Sequence, residues 1–183
     1  IVQMPEGVPV GSVGVGQAEN AAWLAAQMAA LDDAGLRAKI RAARGLPGTA
    51  PAPGNFVALV GAWADRAGKE AIELLSELGV KEAAVFEAGG LAELEKAGAR
   101  ALIVWAAPES LDLPGRLAAK TDLPVIGAPL LGGAAPGDVY VRLFTGGPVA
   151  GVGINRPRKA ALLAAQIVGT AVADVRGRLR AYR

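Results

Sequence analysis

The stretch ALIVWAAPESLDLPGRLAAKTDLPVIGAP, residues 101–129, decides the fold. Two continuous apolar runs, Ala101–Ala107 and Leu123–Pro129, flank a segment that opens on Leu113-Pro114-Gly115 and runs to Lys120 in helical composition. An apolar run without alternation is a strand buried on both faces, and two of them joined through a helix make a parallel strand–helix–strand unit. The same alternation extends outward. Phe56–Gly61 is a buried strand, Asp65–Leu78 a helix that Gly79 is placed to end, Glu82–Ala88 a strand and Leu91–Gly98 a short helix. Beyond the quoted stretch come a Gly- and Pro-rich loop, a short helical segment over Val139–Phe144 and a fifth strand, Pro148–Ile154. A closing helical stretch begins at Pro157, a residue suited to the first helical turn. Right-handed crossovers between about five such strands give a three-layer α/β/α domain over residues 56–183.

The front of the chain reads differently. Gly45–Asn55, GLPGTAPAPGN, is a linker that its prolines make extended and only partly flexible. Before it, Val8–Gly16 suits a short buried strand, Ala18–Leu31 a helix, and Asp32 or Asp33 caps a second helix that reaches Arg44. One strand and two helices cannot cover both faces of that strand, so residues 1–44 are expected to dock on a sheet from elsewhere.

These segments also recur. A shift of 139 positions places Gly7, Pro9, Val10, Val13 and Gly14 on Gly146, Pro148, Val149, Val152 and Gly153 without a gap. It continues through Leu24, Ala25, Ala26 and Gln27 onto Leu163, Ala164, Ala165 and Gln166, and through Arg37, Arg41 and Arg44 onto Arg176, Arg180 and Arg183. Gly-x-Pro-Val and spaced arginines in a single register point to a duplication.

Composition narrows the chemistry. The 183 residues suffice for one domain and part of another. There is no cysteine, hence no disulfide or thiolate, and no histidine, so any proton transfer must use a carboxylate, a lysine or a tyrosine. A net charge of +2 implies no nucleic-acid partner. The arginines near the two helix ends read as solvated charges favourable to a helix C-terminus, with a phosphate or partner site as the alternative. No apolar run is long enough to span a bilayer and the first residues lack a signal-peptide pattern, so a cytoplasmic protein is expected.

The stretch from Ile1 to Gln27, IVQMPEGVPVGSVGVGQAENAAWLAAQ, closely resembles the C-terminal end of the PurE family, the carboxyaminoimidazole ribonucleotide mutases of purine biosynthesis. The resemblance covers residues 1–44 and, more weakly, 56–183, where Leu113–Leu130 looks like that family's central helix and fourth strand. It implies a flavodoxin-like sheet, octameric assembly, and a chain made of the closing elements of one PurE-like domain (1–44), a linker (45–55) and a second, diverged domain (56–183). It also implies substrate-binding motifs at three places. The family's Gly-Ser-x-Ser-Asp falls on Gly61-Ala62-Trp63-Ala64-Asp65, where the Gly and Asp remain and both hydroxyls are gone. Its Ser-Ala-His-Arg-Thr-Pro falls on Glu87–Ala92, with Gly89 and Gly90 in place of His and Arg. Its His-Leu-Pro-Gly survives only as Leu113-Pro114-Gly115.

Without that His and Arg, the second domain is expected to be non-catalytic, with Gly61, Asp65, Leu113, Pro114 and Gly115 as vestigial substrate-binding residues. Asp65 either accepts from ribose hydroxyls or is a favourable charge at a helix N-terminus. No cofactor or metal is implied. The expected partners are further copies of the chain or the remainder of a parent polypeptide, and any ligand of a surviving pocket would be an aminoimidazole ribonucleotide. Gly11–Gly16 lacks the dinucleotide spacing and reads as tight packing. Glu87, Glu109 and Asp112 are either scattered surface acids or a carboxylate cluster at the strand ends that could hold a metal or serve an unrelated reaction. Trp63 and Trp105, near strand ends, either fill the old pocket with apolar bulk or stack on a ligand.

Overall fold

Five strands, β1 (Phe56–Val60), β2 (Glu82–Phe86), β3 (Ala99–Ala106), β4 (Val125–Pro129) and β5 (Val149–Gly151), form one sheet in the order β2-β1-β3-β4-β5. All neighbouring strands are parallel. This is the computed structural model of the chain; it describes residues 4–5, 7–49, 52–61, 66–80, 82–86, 90–133 and 135–182. Every residue of β1, β3, β4 and β5 is buried, which is why these strands read as unbroken apolar runs. Helix α3 (Arg66–Glu77) packs against α7 (Pro157–Gly169) beneath β1, β3 and β4, and α8 (Ala173–Tyr182) follows on α7. On the other face, α4 (Leu91–Lys96) packs on β3, α5 (Leu113–Ala118) on β3 and β4, and α6 (Pro136–Leu143) on β4 and β5. This is a three-layer, flavodoxin-like α/β/α domain, as the sequence indicates.

The front segment forms α1 (Ala18–Ala30) and α2 (Ala34–Ala43). Asp33 caps α2, its carboxylate accepting from Leu36 N–H at 2.9 Å. The strand expected over Val8–Gly16 is not formed. Ser12 alone joins the sheet, by an antiparallel bridge to Gly151 at the outer edge of β5. Ser12 N–H donates to the Gly151 carbonyl at 2.9 Å, and Gly151 N–H donates back at 2.7 Å. The physical reason lies two residues on: Gly14 and Gly16 take φ of +93° and +74°, which ends the extended run, and leave Val15 fully exposed.

The helices keep the register of the sequence repeat. Adding 139 to the bounds of α1 and α2 gives the bounds of α7 and α8 at both ends. The closing stretch from Pro157 is therefore two helices, divided where α1 and α2 are divided.

Candidate functional site

Sheets of this order bind ligands beyond the carboxyl ends of their strands, at the point where the order reverses, here between β1 and β3. Gly61 ends β1 at this crevice with φ +109°, and a Cβ on it would lie 2.7 Å from the Trp105 carbonyl oxygen. Only glycine fits the backbone against β3 there. Trp105 itself is 1% exposed, in register with Ala128 of β4.

Leu113, Pro114 and Gly115 open α5 and are all buried. A Cβ on Gly115 would stand 1.7 Å from the Thr145 carbonyl oxygen, so the start of α5 is packed backbone to backbone against the loop that leads into β5. Asp65, together with Trp63 and Glu87, lies outside the described residues. Glu109 is exposed, and Asp112 turns to Arg116 at 3.1 Å on the surface. Among the described residues no group of three or more acidic side chains could hold a metal. At α6, the Tyr140 hydroxyl accepts from Ile154 N–H at 3.3 Å. Burial raises its pKa above the ordinary phenol value, and that hydrogen bond opposes the rise.

A second cluster lies where α1 and α2 meet the turn between α5 and β4. Arg37, Ile40, Arg41 and Arg44 recur at three- and four-residue spacing and so share one face of α2. The side chain of Asp122, fully buried, pairs with Arg37 through two guanidinium nitrogens, Nε and Nη2, and with Arg41 at 2.9 Å. Gln27 of α1 donates to the carbonyls of Thr121 and Leu123, and Arg44 donates to those of Thr121 and Ala118. Half-burial lowers the Arg44 pKa from its ordinary value, and the Asp122 carboxylate partly restores it. Arg41 also donates to the Pro47 and Gly48 carbonyls at 2.6 and 3.2 Å, drawing the start of the linker onto the same seam.

Beside this cluster, Arg100 of β3 is buried and pairs with Asp32, between α1 and α2. Reading Arg37 and Arg41 as solvated helix-end charges is thus corrected: they are 6% and 8% exposed. The available signal was their shared face with apolar Ile40.

The β2-β1-β3-β4-β5 order with its β1/β3 crevice defines the class, a flavodoxin-like doubly wound domain. A family model described as AIR carboxylase matches residues 1–46 and 66–183. The chain belongs to this family, the PurE-type proteins of purine biosynthesis. It is 36% identical over 126 residues to an N5-carboxyaminoimidazole ribonucleotide mutase of Pyrococcus horikoshii, covering 62% of this chain and 71% of that one. It is 38% identical over 96 residues to a probable mutase of the same name from Methanothermobacter thermautotrophicus, where the match takes in 51% of this chain and 28% of the other. Against a phosphoribosylaminoimidazole carboxylase of Candida albicans it is 42% identical over 81 residues, 42% of this chain and 14% of that one. Two of these three relatives are thus spanned over less than half their length.

Proposed function

We propose that this chain is part of a PurE-type protein of IMP biosynthesis in which residues 56–183 are a non-catalytic domain serving oligomer assembly. In this reading residues 1–44 close a first domain of the same family. The observation that carries it is one helix present twice with unequal cover. In α7, Ala160, Ala161, Ala164 and Val168 are 0% exposed, packed toward the sheet. Their equivalents on α1, Ala21, Ala22, Ala25 and Ala29, are exposed. An alanine-rich face shaped to lie on a sheet, and left bare, fits a helix whose own sheet belongs to another domain. The relative from Methanothermobacter supports this by its size, nearly twice that of this chain, since the same match takes in 51% of this chain and 28% of that one.

Loss of catalysis is supported by the residues that are missing. The whole chain has no histidine, and at the crevice Gly61 and Leu113-Pro114-Gly115 remain as backbone packing positions and not as donors to a phosphate. Gly61, Asp65 and Leu113-Pro114-Gly115 are on this view remnants of a substrate site. The test is an assay of the purified chain on N5-carboxyaminoimidazole ribonucleotide. No turnover above background is expected, and measurable turnover with no other chain present would refute the proposal. A thermal shift with aminoimidazole ribonucleotides accompanies it. A rise in Tm would replace the assembly role with a nucleotide-sensing one, since ligand bound to the native state must raise stability.

A further inference from the structure

Ser12 and Gly151 are equivalent in the repeat and are also the two partners of the antiparallel bridge. A pair that exchanges both hydrogen bonds in this way has a local two-fold axis between its residues. Around such an axis contacts are reciprocal: what one copy does to the other, the other does in return. Half of one reciprocal set is present. Gln27, Arg37 and Arg41 of the first copy hold the Thr121–Leu123 turn, with Asp122 at its centre. Their equivalents Gln166, Arg176 and Arg180 line a groove of about 350 Å³ together with Gly169, Thr170 and Leu179. Arg176 and Arg180 are exposed, and among the described residues neither guanidinium group has a hydrogen bond or ion pair.

We infer that this groove receives the aspartate-bearing turn before the fourth strand of a second AIR carboxylase-type domain, two-fold related to residues 56–183. That domain is the one residues 1–44 close, so the inference rests on the reading given under Proposed function. Charge complementarity matches the seen half of the set: two guanidinium groups on one surface, one carboxylate on the other. An unaltered second copy of the chain cannot be the occupant, because its own turn is covered by its own α2.

The test makes a second copy eligible. Arg37→Ala with Arg41→Ala removes the charges by which α2 holds Asp122 in the full chain, so α2 is free to yield the turn to a partner and two such chains each offer a turn and a groove. Sedimentation velocity is expected to show the wild type as a monomer with respect to this contact and the double variant as a dimer. Adding Arg176→Ala and Arg180→Ala should weaken that dimer by about 30-fold or more. A double variant that keeps its circular dichroism but stays monomeric overturns the inference, as does a dimer indifferent to Arg176 and Arg180.

Should the double variant not fold, a chain with residues 56–145 repeated ahead of Gly7 supplies the occupant directly, joined where the repeat sets Gly146 on Gly7. There, Arg176→Ala with Arg180→Ala should lower Tm as Arg37→Ala with Arg41→Ala does. A folded extended chain indifferent to Arg176 and Arg180 overturns the groove alone. An extended chain that does not fold overturns both the groove and the reading of residues 1–44.

Discussion

Gly115 shows why the start of α5 tolerates no side chain at this position. The Thr145 carbonyl occupies the space of a side chain, so any other residue must push α5 away from the loop before β5. Gly115→Ala should cost about 3 kcal/mol or more, from overpacking that no rotamer relieves, and urea unfolding will read it as a lower midpoint at unchanged slope. Asp122 is governed by charge. Removing its carboxylate leaves Arg37 and Arg41 buried without their shared anion, so Asp122→Ala should cost about 3–5 kcal/mol by the same measurement. Tyr140 gives a pH dependence. Its folded pKa is raised, so the native state holds the phenol proton more tightly than the unfolded chain does. That stability is fully present below the unfolded value near about 10 and is lost as pH rises through the folded value. Wild type should therefore lose more stability between about pH 9 and 11 than Tyr140→Phe, in denaturant melts at both ends of the range.

At the scale of elements, α1 and α7 share six of their thirteen residues in register but sit in two environments, and a charge placed on the shared face separates them. Ala164→Glu buries a carboxylate against the sheet with no partner and should unfold the domain. Ala25→Glu, at the equivalent position, should shift stability by no more than about 0.5 kcal/mol. Thermal melts of the two variants test this directly. Strand and helix order was legible in the sequence because β1, β3, β4 and β5 are buried on both faces and their apolar runs are unbroken. The strand expected over Val8–Gly16 was not, because valines spaced by glycines fit a strand or a loop equally. What decided was the φ that Gly14 and Gly16 adopt against Phe144 and open space. Gly61 and Leu113-Pro114-Gly115 could be singled out from the sequence by their resemblance to family motifs. The Asp122 cluster could not, since it joins residues 85 and 81 positions apart and no local pattern reports such a pairing.

For the whole molecule, the seam decides whether residues 4–44 are an appendage or part of the fold. Leu24 and Leu31 belong to the same apolar core as the sheet, and the Arg37–Arg41–Asp122 cluster lies out of solvent. Lys159 also donates to the Met4 carbonyl, so the segment is held near both of its ends. Buried ion pairs are screened far less by salt than surface pairs, and apolar contact is not weakened by it. Cutting the chain once within Gly45–Asn55 should therefore leave the two pieces together. After limited proteolysis they are expected to co-elute in gel filtration at both low and high salt. In Asp122→Asn the carboxylate is replaced by a neutral amide, Arg37 and Arg41 lose the anion they share while Arg41 keeps only the longer contact to Glu95 at 3.7 Å, and the same cut should release the small piece. Separation of the wild-type pieces at low salt would mean that the linker alone keeps α1 and α2 on the domain. Co-elution lost only on neutralising Asp122 would identify that carboxylate as the group through which α2 grips the turn before β4.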